Sequence, residues 1–389
     1  MNKPLGKLYK LLSKPTLKVI GCMSGTSVDG LDIALCTLSG SGQDTEIRCD
    51  RFITLDLPEI FREKILSLQS REQINCRALT VLNAELGNLM GDLILQALNI
   101  WGITAEEVDL IGSHGQTIYH APAVTGQAVN ATLQIADGDH ISFRTGIPVI
   151  SDFRQKHTAA GGEGAPLAAL FDQMLFQDKK NHRMLLNLGG ISNLTWLPSE
   201  SSGWEVISGD VGPANTLINE AMIKYFDRPY DEDGIIASEG NAHSGLIKYI
   251  LLEPYFRRPF PKTTGQEEFR LFFIEDLMQG HGIELDPKDL IASLTEVTIQ
   301  SISRAAEEVT QEHNFELFVS GGGVHNKTIM TGLEERIPNA RVYNFSELGI
   351  DPDAKEAVMM AFFANELIRG DGVMVEGEKV HLGKVSLSN

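Results

Sequence analysis

Apolar positions along the chain fall into short β-branched runs and longer stretches with helical spacing, and their order predicts the architecture. "LKVIG" and "LDIALCTL" read as two strands, joined by "CMSGTSVDG" over residues 22–30. "QINCRALTVLNAELGNLMGDLILQALNIWG" follows with apolar residues at helical intervals, and Gly102 is placed to end that helix. "VDLIGSHGQTIYHAP" reads as a strand entering a polar loop, and "GIPVISDF" as a buried strand. The second half starts the pattern again. "RMLLNLGGISNLTWLP" is strand, glycine loop, strand, and "LFVSGGGVHN" ends a strand before the helical "KTIMTGLEERI". Two strand–loop–strand units of the same grammar predict a duplicated α/β domain.

The first loop raises a question of chemistry. Asp29-Gly30 alone suffices for a tight hairpin. Ser24, Gly25, Thr26 and Ser27 go beyond that need, because small residues bare backbone N–H groups and hydroxyls donate to anions. On these residues alone a phosphate cradle and a plain turn stand side by side. Neither GxxxxGK[ST] nor a strand–GxGxxG–helix is present, so the familiar nucleotide fingerprints do not apply.

Composition narrows the field. A chain of 389 residues has room for two cores, and 42% hydrophobic with 22% charged residues predicts a folded globular protein. The 33 basic against 52 acidic residues give a net charge of −19, which opposes binding to nucleic acid or anionic membranes. An anionic substrate then needs local cations or helix N-termini. Cys22, Cys36, Cys49 and Cys76 lack CxxC spacing, which excludes a zinc reading and fits a reduced, intracellular protein. No apolar run is long enough to span a bilayer. The first 18 residues hold five lysines and no acid, and lack the apolar centre of a secretory signal, so a flexible basic leader is expected.

A phosphate loop that continues into a strand belongs to the actin, hexokinase and Hsp70 superfamily, whose duplicated ribonuclease H-like domains flank an interdomain cleft. Within it, "GCMSGTSVDGLDIAL", "IGSHGQTIYH", "SDFRQKHTAAGGEGAPL", "NLGGISNLT", "GDVGPANTLIN", "YDEDGIIASEG", "PKTTGQEEF", "SGGGVHN" and "DAKEAVMMAFFANELI" together resemble the anhydro-N-acetylmuramic acid kinases, and the related levoglucosan kinases share most of them. The resemblance implies an ATP- and Mg²⁺-dependent enzyme that opens a 1,6-anhydro sugar and phosphorylates its 6-oxygen. It implies a first phosphate loop of Gly25, Thr26, Ser27, Val28, Asp29, Gly30, Leu31 and Asp32, and a second at Gly189 and Gly190. Gly321, Gly322, Gly323 and Asn326 would lie beside the adenosine. Asp210, followed by Gly212, Pro213 and Asn215, would be the base. Glu356 would face the water or the metal, with Asp29 as a second metal ligand. His114, Gln116, Arg154 and Asn215 would bind the sugar.

The chemistry explains why a base is needed. The bridged 6-oxygen carries no proton to remove, so a carboxylate activates a water against the anomeric carbon instead. The phosphoryl group takes up the charge of the departing oxygen, a task that inverting glycosidases give to a second carboxylic acid.

Structural readings stand beside these. Asn215 could cap the helix "TLINEAMIKYF". Asp353 and Glu356 fit a capping box. Asp29 could only shape the hairpin, His114 could be a core hydrogen-bonder, and Asp231 and Asp233 could form a turn or touch a sugar hydroxyl. Three residues depart from the family pattern: His157 stands for Asp, Glu163 for Gln and Gln266 for Arg. The expected domains are 18–146 with 354–389, and 147–353. A cytoplasmic enzyme acting on a small sugar and ATP, forming a homodimer, completes the expectation. The rivals are a levoglucosan-type kinase and an ATP-driven binding switch.

Overall fold

The computed structural model describes residues 3–123, 129–265 and 268–388. The chain divides into two compact units, residues 1–175 with 353–389, and residues 176–352. In the first, α1 (Lys3–Leu11) precedes β1 (Thr16–Met23), β2 (Gly30–Ser39), β3 (Glu46–Asp56), α2 (Glu59–Leu68) and α3 (Cys76–Trp101). Then come β4 (Leu110–Ser113), β5 (Gln116–Ala121), β6 (Ala131–Ile135), α4 (Gly138–Thr145), β7 (Val149–Ser151), α5 (Phe153–Ala159) and α6 (Leu167–Phe176). The second unit holds β8 (Arg183–Leu188), β9 (Ile191–Leu197), β10 (Ile207–Pro213), α7 (Asn215–Phe226), α8 (Ile235–Glu239) and α9 (Ser244–Leu251). It continues through α10 (Leu271–Gly280), α11 (Pro287–Thr310), β11 (Phe315–Ser320), α12 (Lys327–Arg336) and β12 (Ala340–Asn344). The chain rejoins the first unit with α13 (Lys355–Arg369), β13 (Val373–Val375), β14 (Glu378–Val380) and β15 (Lys384–Ser386).

The two sheets share one topology. The first runs β15-β7-β4-β1-β2-β3 and the second β10-β9-β8-β11-β12. In each, the first and second strands form an antiparallel hairpin, the third is antiparallel to the second, and the fourth and fifth run parallel to the first. A third-second-first-fourth-fifth order with only the second strand reversed is the ribonuclease H-like arrangement. It occurs twice, as the repeated strand–glycine–strand grammar predicts. The first sheet adds β15, antiparallel at its edge.

One helix completes the first unit from the far end of the chain. Ala357 to Glu366 of α13 are all buried, and the helix packs on β1, β2 and β4. It lies so close that a Cβ on Gly21 would fall 1.8 Å from Ala357 O, and one on Gly112 2.1 Å from Met360 O. Two strand glycines thus set the depth of the helix on the sheet. The second core gathers Met184, Leu186, Trp196 and Val319 of the sheet with Ile291, Leu294 and Ile302 of α11.

Three expectations change. The basic leader is not a free tail: α1 buries Leu11, and Arg369 donates to the carbonyls of Leu11, Lys14 and Pro15. Lys14 pairs with the largely buried Asp109 at 2.5 Å. The polar loop expected after Ser113 contains a further strand, β5, which pairs with β6. The first division falls at 175/176 rather than 146/147, because Val149–Ser151 pairs with β4 and keeps that segment in the first unit. The helix ending at Gly102 is as predicted, with the glycine left-handed at φ 68°. Among the described residues no helix is long and apolar enough to cross a membrane.

Gly21→Ala is expected to cost about 1–3 kcal/mol or more in urea denaturation, because backbone on both sides would have to move. Gly280→Ala, where no atom lies within 4 Å, is expected to shift stability by less than about 1 kcal/mol.

Candidate active site

In the β1–β2 loop most carbonyls are taken, while of the amides Val28 N donates to Gly25 O. Gln116, fully buried at the start of β5, donates from Nε2 to Gly25 O at 3.1 Å. Its Oε1 accepts from the Ser24 hydroxyl at 2.7 Å. Gln69 donates to Thr26 O, Arg62 Nε to Val28 O at 2.9 Å, and Leu57 N to Asp29 O. Among the described residues no main-chain partner is found for the N–H groups of Thr26 and Ser27, whose side chains are exposed. A run of outward N–H groups is an anion-binding concavity. Val28 and Leu31 are fully buried, so only their main chain is available to a ligand. Gly25 has no structural need to be glycine: a Cβ there would meet nothing closer than 3.7 Å.

The second unit repeats the device at the same topological position. Asn215 Nδ2 donates to Leu188 O at 2.9 Å and to Gly189 O at 2.8 Å. The amides of Asn215, Ala214 and Thr216 donate to Gly189 O and Gly190 O. The N-cap of α7 is Ala214, so Asn215 does not cap that helix and instead pins the glycine loop. Gly323 packs against the same loop, where a Cβ would fall 2.6 Å from Leu188 Cβ. Gly322 has open space and lines a cavity of about 430 Å³ with Asn215, Ile218, Tyr230, Asp233 and Asn326. Asn326 caps α12 through Oδ1, at 3.1 Å from Ile329 N.

Asp210 stands on β10 at a bulge between Asp210 and Gly212, and such bulges re-aim side chains. Its Oδ2 accepts from Thr264 N at 3.0 Å, its amide donates to Lys262 O at 2.7 Å, and Tyr255 OH donates to its carbonyl at 2.9 Å. Burial raises its pKa and the Thr264 amide opposes that. "PKTTG" therefore acts as a clamp on Asp210. The sequence carries no signal for this role, since the groups that bind are main-chain atoms.

In the first unit Glu356 sits in the first turn of α13, whose N-cap is Ala354 rather than Asp353. Burial raises its pKa, as does the charge of Asp32, while Lys355 and Arg154 lower it. Asp32 is likewise raised by burial, with Thr54 donating to it at 2.6 Å and Asp29 and Asp353 adding repulsion. Asp29 accepts from Ser27 Oγ at 2.9 Å in the exposed loop. Of the two expected metal ligands, Glu356 feels the charge of Asp32, and Asp29 acts on Asp32 in turn. No group of three or more His, Cys, Asp or Glu suited to a metal is found among the described residues.

His114 and Gln116, expected at the sugar, are both buried with their polar atoms committed to the protein. His114 Nδ1 lies 3.1 Å from Gly115 O, and its Nε2 accepts from Arg154 Nε at 2.8 Å. Burial and the Arg154 charge hold its pKa down to about 3, so it is a neutral acceptor that orients the arginine. Asp231 accepts from Ile236 N and Ala237 N in the first turn of α8, in keeping with the turn reading of that residue, and Asp233 pairs with Lys327. Gln266 lies outside the described residues.

Two ribonuclease H-like units, each opening on a glycine loop with inward carbonyls, define the class: the actin, hexokinase and Hsp70 superfamily of ATP-using proteins. The sequence profile described as Anhydro-N-acetylmuramic acid kinase matches residues 17–374. Proteins of that name from Pseudoalteromonas atlantica and Pseudoalteromonas translucida are 42% and 39% identical to it. The first alignment covers 99% of each chain, and the second 100% of each. The chain belongs to the anhydro-N-acetylmuramic acid kinase family, and is a sugar kinase that uses ATP. A solved activator of 2-hydroxyisocaproyl-CoA dehydratase from Clostridium difficile aligns over 90% of this chain and 96% of its own at 12% identity. Its TM-score is 0.41, so the fold assignment rests on strand order.

Gly25→Ala is expected to leave the melting temperature unchanged and raise the KM for ATP ~10-fold, about 1.4 kcal/mol of lost binding. A fall in melting temperature with unchanged KM would make this glycine a structural one.

Proposed function

We propose that this enzyme opens the 1,6-anhydro ring of anhydro-N-acetylmuramic acid with a water activated by Asp210 and phosphorylates the freed 6-oxygen, giving N-acetylmuramic acid 6-phosphate. The observation that carries the reading is the Asp210 carboxylate, aimed by a bulge and held at one oxygen by Thr264 N. Among the described residues no hydrogen-bond partner is found for the other oxygen, which suits it to accept a proton.

In the proposed reaction Asp210 takes a proton from water as the water oxygen bonds to the anomeric carbon. The bond from that carbon to the 6-oxygen breaks, and its electron pair forms the new bond to the γ-phosphorus. ADP leaves, and Asp210 returns its proton to solvent. The amides of the β1–β2 and β8–β9 loops hold the phosphates, and the cavity beside Gly322 takes the adenosine. Arg154 is the cation offered to the sugar side. Asp32 and Glu356 are hard oxygen donors suited to Mg²⁺, and they would hold a cation that neutralises phosphate charge. The repulsion of Glu356 by the Asp32 charge fits such a role. Preference for the N-acetylmuramic substrate over levoglucosan, a cytoplasmic setting and a homodimer are parts of the same reading, supported by the family resemblance.

Asp210→Asn keeps the shape but cannot take the proton, so turnover should fall ~10²–10⁴-fold while ATP still binds. In ¹⁸O water the label should enter the anomeric hydroxyl and not the phosphate. Label in the phosphate, or near-normal turnover by the variant, would remove Asp210 from the role of base. With both sugars assayed in parallel, kcat/KM should be higher for anhydro-N-acetylmuramic acid than for levoglucosan, and the reverse ranking would reassign the substrate.

A further inference from the structure

Arg154 is held from two sides by neutral acceptors. On one side its Nε donates to His114 Nε2 at 2.8 Å. On the other its Nη1 donates to Gly164 O at 2.7 Å. Gly164 is itself fixed by a histidine, its amide donating to His157 Nδ1 at 3.0 Å. At φ 83°, with a Cβ that would lie 2.9 Å from Thr158 Cγ2, this position favours glycine. The turn closes over the ring: Gly162 N donates to His157 O at 3.1 Å, and a Cβ on Gly162 would fall 2.2 Å from the imidazole. His157 and Arg154 lie one helical turn apart on α5, so helix and turn together form a rigid bracket around the guanidinium.

We infer that His157 is a positioning residue for Arg154, acting through Gly164. The inference rests on the reading of Arg154 as the cation that serves the sugar. His157 touches no reacting atom; it holds Gly164 O where it aims the guanidinium, leaving Nη2 for the substrate. An acceptor at Nδ1 is what the bracket requires. A protonated imidazole would lose the Gly164 amide and place a second cation beside Arg154. The groups facing His157 are Arg154 on its own helix, Glu163 in the turn and Glu376 after β13. Burial and Arg154 favour the neutral ring, while the two glutamates favour the charged one.

The two histidines separate by pH. His114, at about 3, stays neutral throughout an assay between pH 5 and 8. His157 titrates below its ordinary 6.5, so the bracket is intact above that range and is lost as pH falls through its pKa. The loss should appear in KM for the sugar, whereas protonation of Asp210 should appear in kcat.

The test compares His157→Phe, His157→Asn and Arg154→Gln by steady-state kinetics from pH 5 to 8, with melting temperatures recorded. His157→Phe should raise the sugar KM ~10-fold with KM for ATP little changed. His157→Asn, whose Oδ1 can accept at the place of Nδ1, should restore a low KM and abolish its rise at acid pH. An unchanged sugar KM in His157→Phe overturns the inference, as does His157→Asn behaving like His157→Phe, which would mean that the ring only packs. If Arg154→Gln leaves the sugar KM unchanged, the reading of Arg154 falls and the inference with it. A strong effect of Arg154→Gln beside a silent His157→Phe removes the inference alone.

Discussion

A side-chain amide tying down a glycine-loop carbonyl is the interaction on which the site depends. Gln116 does this to Gly25 in the first unit, and Asn215 to Leu188 and Gly189 in the second. A short loop at the end of a hairpin has as many acceptors as donors, and either set could face outward. Taking the carbonyls inward decides the question in favour of the amides, at no cost in formal charge. That matters for a chain of net charge −19, which repels a nucleotide at long range. In the proposed reading neutral N–H groups would bind phosphate only at close approach, and the open space at Gly25 would permit it.

The same economy of charge governs the carboxylates. Asp32 is half-buried, which raises its pKa, and its charge in turn helps to raise that of Glu356. Arg154 and Lys355 oppose the effect at Glu356, and Lys355 is in turn held by the buried Asp172 at 2.7 Å. These contacts lie within one unit, so its polar face is a set of mutually dependent groups. Among the described residues Arg154 has no carboxylate hydrogen bond of its own and is bound instead to a histidine and a carbonyl. A cation ligated by neutral acceptors keeps most of its charge for a ligand.

Much of this could be read from the letters. The paired strands around Ser24–Asp29 and around Gly189–Gly190, the helix end at Gly102 and the strand before Gly321 follow from local periodicity and turn chemistry, and the structure has them. What pattern reading missed is what depends on distant contacts. The family resemblance places Gln116 and His114 at the sugar. Their polar atoms are consumed by Gly25, Ser24, Gly115 and Arg154 instead. Asn215 had the look of a cap, yet its partners lie more than twenty residues upstream. The clamp on Asp210 is made by main-chain atoms of Lys262 and Thr264, which any residue type could supply. The N-terminal lysines hid a helix anchored by Arg369, which follows it by more than 350 residues.

The close seating of α13 against Gly21 and Gly112 also bears on how the chain is made. During synthesis domains generally fold as units, N-terminal first. Here five of the six strands of the first sheet are made long before its covering helix leaves the ribosome, β15 coming after that helix, and the face opposite Ala357 to Phe363 is left bare until then. The second unit is one continuous segment, residues 176–352, and nothing it needs comes later. The order of maturation is therefore inverted: the unit made second has all its parts first. The unit that carries the β1–β2 loop and Glu356 waits for the last stretch of the message. Truncation near the C-terminus would thus strike the first sheet, and the nascent chain is most exposed to aggregation shortly before its release.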